Sequence, residues 1–282
     1  MEHLEQPESL KLRVRECRTC GHRIGFVPTM GALHDGHLSL VGIAKKHADV
    51  VVASVFVNPK QFGEGEDLSA YPRDLEADAN RLEAAGCDVV FAPSVESVYP
   101  PDFQTLVRVS EVARGLEGDH RPGHFEGVAT VVLRLFGLVK PDVAVFGEKD
   151  FQQLTLVRTM TRDLSLDIEI VGAPLVRDHD GLALSSRNAY LTPDQRAKGL
   201  SLSRGLRRAE LAYRAGEREG WRLLQPVQEE LHRSGLRPDY LELRGFTSLE
   251  PLARADQPAA ILVAAKVGRT RLLDNVILSR PE

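Results

Sequence analysis

The chain has 282 residues, 43% of them hydrophobic and 27% charged, with a formal net charge of −4. That is the composition of an ordinary soluble globular protein, long enough for two domains. The slightly negative balance gives no support to a nucleic-acid partner, which calls for a basic face. The longest apolar stretch, Val128 to Val139, is broken by Arg134 and Gly137 and falls short of the roughly 18 residues of a membrane helix. The acidic residues 1–7 lack the apolar centre of a signal peptide, so a cytoplasmic protein is expected.

Along the chain, Cys17-Arg18-Thr19-Cys20-Gly21-His22 comes first, a CxxC pair followed by histidine. It could be half of a zinc site or a redox pair. A structural zinc needs four ligands and no second pair follows, so Cys17, Cys20 and the third cysteine, Cys87, are expected to be reduced thiols. Next, Ile24-Gly25-Phe26-Val27 reads as a short buried strand, here taken as 24–28. Pro28 breaks it, Thr29-Met30-Gly31 turns, and Leu33, Leu38, Val41 and Ala44 carry helical spacing. His34 and His37 then stand one turn apart at the start of a helix that follows the first strand. Unpaired N–H groups and the helix dipole favour an anion there, and Gly36 allows close approach. Two imidazoles aimed at that point suit the phosphates of a nucleotide.

Further strands are expected at 50–57, 88–92, 143–146 and 168–171, with helices near 38–47, 74–85, 127–139 and 151–162. This alternation predicts an α/β fold, a Rossmann-like parallel sheet with helices on both faces, whose ligands bind at the carboxyl ends of the strands. Asn58 and Gln61 follow one strand there, and Gly147-Glu148-Lys149-Asp150 follows another. Lys149 would project charge toward phosphate and a carboxylate would suit ribose hydroxyls, although the same four residues also make an ordinary solvated strand–helix turn. Asn58, Gln61 and Gln153 are amides able to hold the hydroxyls and carboxylate of a small polar substrate, or simply surface amides. Arg121-Pro122-Gly123-His124-Phe125 reads as a glycine- and charge-rich loop over the cleft. After Val176 a polar connector, Arg177 to Asn188, reads as mobile; Ser185, Ser186 and Arg187 in it could close over a triphosphate. Thr192 and Pro193 then cap and open a helix over 193–214. A second helix at 219–233 and strands at 240–243 and 261–267 complete a smaller α+β domain. The expected boundaries are 1–176 for the nucleotide- and acid-binding domain and 177–282 for a C-terminal domain covering the active site. GxxxxGK[ST] and GxGxxG are both missing, which disfavours Walker-type phosphotransfer and dinucleotide chemistry.

Taken together, VPTMGALHDGH (27–37), FVNPKQF (56–62), YPRD (71–74), RPGHFEGV (121–128), FGEKDFQQL (146–154) and LALSSRNAYL (182–191) resemble the pantothenate synthetase family, within the HxGH nucleotidylyltransferase superfamily. Their order matches as far as VGRTRLLDN (267–275). The resemblance implies ATP-dependent joining of (R)-pantoate to β-alanine through a pantoyl adenylate, with release of AMP and pyrophosphate. It also implies an ATP site of Met30, Gly31, Ala32, Leu33, His34, Asp35, Gly36, His37, Gly147, Glu148, Lys149, Asp150, Val176, Leu184, Ser185, Ser186 and Arg187. His37 would be the proton donor, with His34, Lys149 and Arg187 as catalytic partners. Gln61 would contact both pantoate and β-alanine, and Gln153 would hold pantoate; Asn58 is placed with them. Mg²⁺ with ATP, and a cytoplasmic homodimer, are further implied. The family often has Glu at Asp35 and Met at Leu184, both mild differences.

Two other readings remain at this point. A nucleotidylyltransferase would leave the nucleotide on its product, and a non-catalytic sensor would bind ATP without releasing pyrophosphate.

Overall fold

The computed structural model describes residues 1–66 and 68–281. The chain divides into two compact units, Met1–Glu148 with Leu156–Pro174, and Lys149–Thr155 with Leu175–Glu282.

The first unit runs β1 (Glu2–Leu4), α1 (Pro7–Thr19), β2 (Ile24–Thr29), α2 (Asp35–His47), β3 (Val50–Val55), α3 (Leu75–Ala84), β4 (Val89–Phe91), α4 (Val95–Val98), α5 (Leu116–His120), α6 (His124–Val139), β5 (Val143–Gly147) and β6 (Glu169–Ala173). Helix α7 (Phe151–Asp163) leads into β6. The six strands form one parallel sheet in the order β1-β4-β3-β2-β5-β6. Strands β2 to β5 carry consecutive Val, Ile, Phe and Ala because helices cover both faces, so alternation with polar residues disappears. From β2 the chain builds outward through β3 and β4, then returns to place β5 on the other side of β2. The order therefore reverses between β2 and β5, the position at which such sheets bind ligands. Each expected strand and helix of this sheet is found. The helix predicted from 38 starts earlier, at Asp35, because the residues before Leu38 form its polar first turn. The N-terminal segment, which lies outside the motifs that carry the resemblance, supplies edge strand β1 and amphipathic helix α1, whose Leu10, Val14 and Cys17 are buried.

The second unit holds α8 (Pro193–Arg214), α9 (Gly220–Arg233) and the antiparallel sheet β7 (Pro238–Gly245), β8 (Ala259–Val267) and β9 (Thr270–Ile277), in the order β7-β8-β9. Leu202, Leu206 and Ala209 of α8 and Leu223, Val227 and Leu231 of α9 pack on Ile261, Val263 and Ala265 of β8. Thr192 caps α8 as expected: its hydroxyl accepts from Gln195 N at 3.3 Å, and Gln195 returns its side-chain oxygen to Thr192 N at 3.0 Å. No helix among the described residues is long and apolar enough to cross a membrane.

Candidate active site

In the first unit the site begins where β2 ends. Thr29 is buried, its hydroxyl donating to Ser54 O at 2.7 Å and accepting from Gly31 N at 3.2 Å. Gly31 has φ +81°, and a Cβ there would lie 2.7 Å from Asp78 Oδ2, so only glycine fits. Asp78, buried on α3, accepts from Ala32 N at 2.9 Å and Leu33 N at 2.8 Å. A carboxylate from α3 thus holds the turn through which the chain enters α2. Asp78 carries no motif in the sequence. Asp35, in the first turn of α2, pairs with Arg81 at 2.9 Å.

His34 is the N-cap of α2 and His37 its third residue. His34 N donates to His37 Nδ1 at 3.3 Å. The rings stack with centroids 4.0 Å apart and planes 28° from parallel. Since His37 Nδ1 accepts, a single proton on that ring sits on Nε2. The two histidines therefore sit together at a helix N-terminus beside the switch point, as the spacing predicts.

Gln61 lies in a 3-10 turn, Pro59–Gln61, and is buried. Its Nε2 donates to Met30 Sδ at 2.9 Å, tying it to the β2–α2 turn. Asn58 is 1% exposed and its amide is fully engaged: Nδ2 donates to Gln61 Oε1 at 3.0 Å and Gly127 O at 3.1 Å. Its oxygen accepts from Tyr99 Oη at 2.9 Å and Lys60 N at 3.3 Å. Gly127 is required by this approach, since a Cβ would come within 2.2 Å of Lys60 O.

The 121–125 segment is built into the site rather than draped over it. His124 Nδ1 donates to Gln61 O at 2.8 Å, and Arg121 Nη2 donates to the same oxygen at 3.3 Å. Arg121 also donates from Nη1 to His124 Nε2 at 3.0 Å and pairs with Glu66 at 2.6 Å. Burial, reinforced by the Arg121 charge, lowers the His124 pKa to about 4, so the ring is neutral in this network. The sequence offered RPGHF as a motif but gave no sign that its charges serve the backbone of Gln61.

Gly147 closes β5, and open space lies where its Cβ would be; Glu148 after it is buried. In the second unit, Lys149 and Asp150 precede α7, with Lys149 Nζ 3.5 Å from Asp150 Oδ1. Gln153 is half-buried in the first turn of α7. Val176 O accepts from Leu184 N at 3.0 Å, and Asp178 N donates to Leu182 O at 2.8 Å. The connector that reads as mobile is thus a hydrogen-bonded hairpin turn. Hydrogen bonds from His179 and Arg196 lower the Asp178 carboxyl to about 2, and Arg196 also grips Asp180 at 2.7 Å. Ser185 Oγ accepts from Arg187 N at 3.3 Å, capping the 3-10 turn Ser186–Tyr190. Asn188 Nδ2 fixes that turn to Ala183 O at 2.9 Å.

Among the described residues no group of three or more His, Cys, Asp or Glu is arranged to hold a metal ion. Cys17 and Cys87 are buried and Cys20 is exposed, none of them in a disulfide.

Compared with known proteins, residues 2–277 match the family model for pantoate-beta-alanine ligase. The chain belongs to the pantoate-beta-alanine ligase family. It is 51% identical over 284 residues to a pantothenate synthetase of Pseudomonas putida strain GB-1, covering 100% of this chain and 99% of the relative. A pantothenate synthetase of Myxococcus xanthus is 53% identical over 265 residues, covering 93% and 91%. The fold matches the crystal structure of a Thermus thermophilus pantothenate synthetase with a TM-score of 0.94 and 46% identity, over 99% of this chain and 100% of the other. A Francisella tularensis pantoate-beta-alanine ligase, solved in complex with beta-gamma ATP and beta-alanine, matches with a TM-score of 0.82 and 33% identity over 99% and 98%. The α/β architecture and the family that the motifs resemble are thus both found, and membership of a ligase family sets aside the sensor reading.

Proposed function

We propose that the chain condenses (R)-pantoate with β-alanine at the expense of ATP, releasing AMP and pyrophosphate through an enzyme-bound pantoyl adenylate. The observation that carries this reading is the stacked His34–His37 pair at the α2 N-terminus beside the β2/β5 switch point, in a chain of this family. The pantoate carboxylate attacks the α-phosphorus, and the bond to the bridging oxygen of pyrophosphate breaks. The nucleophile is already anionic, so the protein's task is positioning and charge neutralisation. His37 Nε2–H and His34 serve the phosphates together with the first N–H groups of α2, while Lys149 and Arg187 supply fixed positive charge. Met30, Gly31, Ala32, Leu33, Asp35, Gly36, Gly147, Glu148, Asp150, Val176, Leu184, Ser185 and Ser186 complete the ATP site in this proposal. The open space at Gly147 supports close approach of the nucleotide.

Gln61 and Gln153 bind pantoate, and Gln61 also meets β-alanine. The engaged amide of Asn58 supports a role in holding Gln61 rather than in touching substrate. In the second step the amine of β-alanine attacks the acyl carbon, the acyl–phosphate bond breaks, AMP leaves and the amine sheds its extra proton. Residues 1–176 and 177–282 are proposed as the two functional domains. Mg²⁺, where bound with ATP, would be held chiefly by the phosphates and would add to the neutralisation that Lys149 and Arg187 supply. Reduced cysteines and dependence on ATP suit the cytoplasm. The homodimer that the family resemblance implies is part of this proposal and is testable by sedimentation. The function itself is tested by incubating the purified chain with ATP, Mg²⁺, (R)-pantoate and β-alanine. Equal amounts of pantothenate and AMP are expected. A stable nucleotidylated product formed without β-alanine consumption would favour the nucleotidylyltransferase reading instead.

A further inference from the structure

The motif VGRTRLLDN is part of the family resemblance, yet none of its residues has a role in the reaction as described. Strand β9 is anomalous within it. Side chains alternate between the two faces of a strand, so an outer strand normally turns every second residue to water. Asp274 and Asn275 are adjacent, polar and both buried, at 4% and 5% exposure. Buried polar groups of this kind need specific partners.

Their partners lie within the second unit. Asp274 takes both Nη atoms of Arg177, at 2.7 and 2.9 Å, and its Oδ1 also accepts from Asn275 N at 2.8 Å. Burial raises the Asp274 carboxyl, while the Arg177 pair, the Asn275 N–H and the nearby Lys149 charge act against that rise. Arg177 Nη1 reaches Gly181 O at 3.1 Å as well, in the hairpin turn that precedes Leu184–Arg187. Asn275 Nδ2 donates to the backbone oxygen of Lys149 at 2.9 Å. A chain of short hydrogen bonds thus runs from the hairpin through Arg177, Asp274 and Asn275 to the main chain of Lys149.

We propose that Asn275 is a positioning residue for Lys149, fixing its backbone so that the ammonium group is held ready for the phosphates, with the Arg177–Asp274 pair locking Asn275 in place. Lys149 is flanked by an exposed Asp150 and has four rotatable bonds, so an anchored main chain sets where its charge can go. The inference rests on the phosphate role proposed for Lys149, and its test separates the two.

The experiment compares Asn275→Ala, Lys149→Ala and the double variant in two assays. One is ATP–pyrophosphate exchange with pantoate; the other is reaction of synthetic pantoyl adenylate with β-alanine. Asn275→Ala should slow exchange about 10- to 100-fold, the scale of a misplaced catalytic group, with the KM for pantoate nearly unchanged. It should leave adenylate aminolysis close to wild type and add no further loss to Lys149→Ala. A side chain that merely stabilises the domain would reduce both assays together. If Asn275→Ala does not fold, Asn275→Ser, too short to reach the carbonyl, is read in the same way. Wild-type exchange in a folded Asn275 variant, equal loss in both assays, or additive loss with Lys149→Ala would overturn the inference while leaving the Lys149 role intact. Wild-type exchange by Lys149→Ala would overturn the Lys149 role and the inference with it.

Discussion

The side-chain amide of Asn58 donates to the side-chain oxygen of Gln61 at 3.0 Å, with both residues buried. Every donor and acceptor of the Asn58 side-chain amide is used inside the protein, so its effect on substrate passes through Gln61. Asn58→Ala and Gln61→Ala should each lower kcat/KM for pantoate by about 10- to 100-fold, the range of about 1–3 kcal/mol for a lost buried partner, with a much smaller change for ATP. The double variant should be no worse than the poorer single variant, because both changes remove one interaction. Independent, additive losses measured by steady-state kinetics would separate the two residues.

His124 makes stability depend on pH. Its folded pKa is about 4 against an unfolded 6.5, because burial and Arg121 disfavour the charged ring. Between these values the unfolded chain binds the proton and the folded one does not. The contribution is therefore complete above pH 6.5 and is lost as pH falls toward 4, by on the order of 3 kcal/mol in all. Urea unfolding at pH 7 and pH 5 should show wild type losing stability more steeply than His124→Gln. Equal slopes would remove His124 as the cause.

Gly127→Ala should disturb the Pro59–Gln61 turn, since the new methyl would meet the backbone of Lys60 rather than a flexible side chain. A cost of about 1–3 kcal/mol is expected, as for other overpacked sites, together with a raised KM for pantoate. Thermal melts and pantoate titration check both parts. An unchanged KM would mean that this turn does not set the acid site.

The sheet was legible because strands buried on both faces are written as runs of Val, Ile, Phe and Ala, and Thr192-Pro193 spells a helix start in local chemistry alone. The start of α2 was legible for the same reason: His34, Gly36 and His37 lie within one helical turn. What escaped is long-range. Asp78 holds residues 32 and 33 from α3, 46 and 45 positions away, and His124 holds Gln61 from 63 away. Such pairings depend on how the elements pack. The connector at 177–188 read as loose because charges in sequence look solvated, whereas Asp178 and Asp180 are committed to Arg196. Strand β1 and helix α1 escaped because edge elements need little apolar sequence.

The three thiols should react unequally. Cys20 is exposed, Cys17 is buried in α1, and burial pushes Cys87 up to about 11. Low accessibility and low thiolate content both slow modification. A native protein titrated with an aromatic disulfide reagent should show one fast thiol, lost in Cys20→Ser. Three equally fast thiols would contradict the packing of α1 and of the segment that leads into β4.

The adenylate is the centre of this account, and exchange of labelled pyrophosphate into ATP measures its reversible formation directly. With the purified chain and Mg²⁺, exchange should require (R)-pantoate and proceed without β-alanine. No exchange with pantoate, or exchange driven by β-alanine alone, would contradict the two-step mechanism.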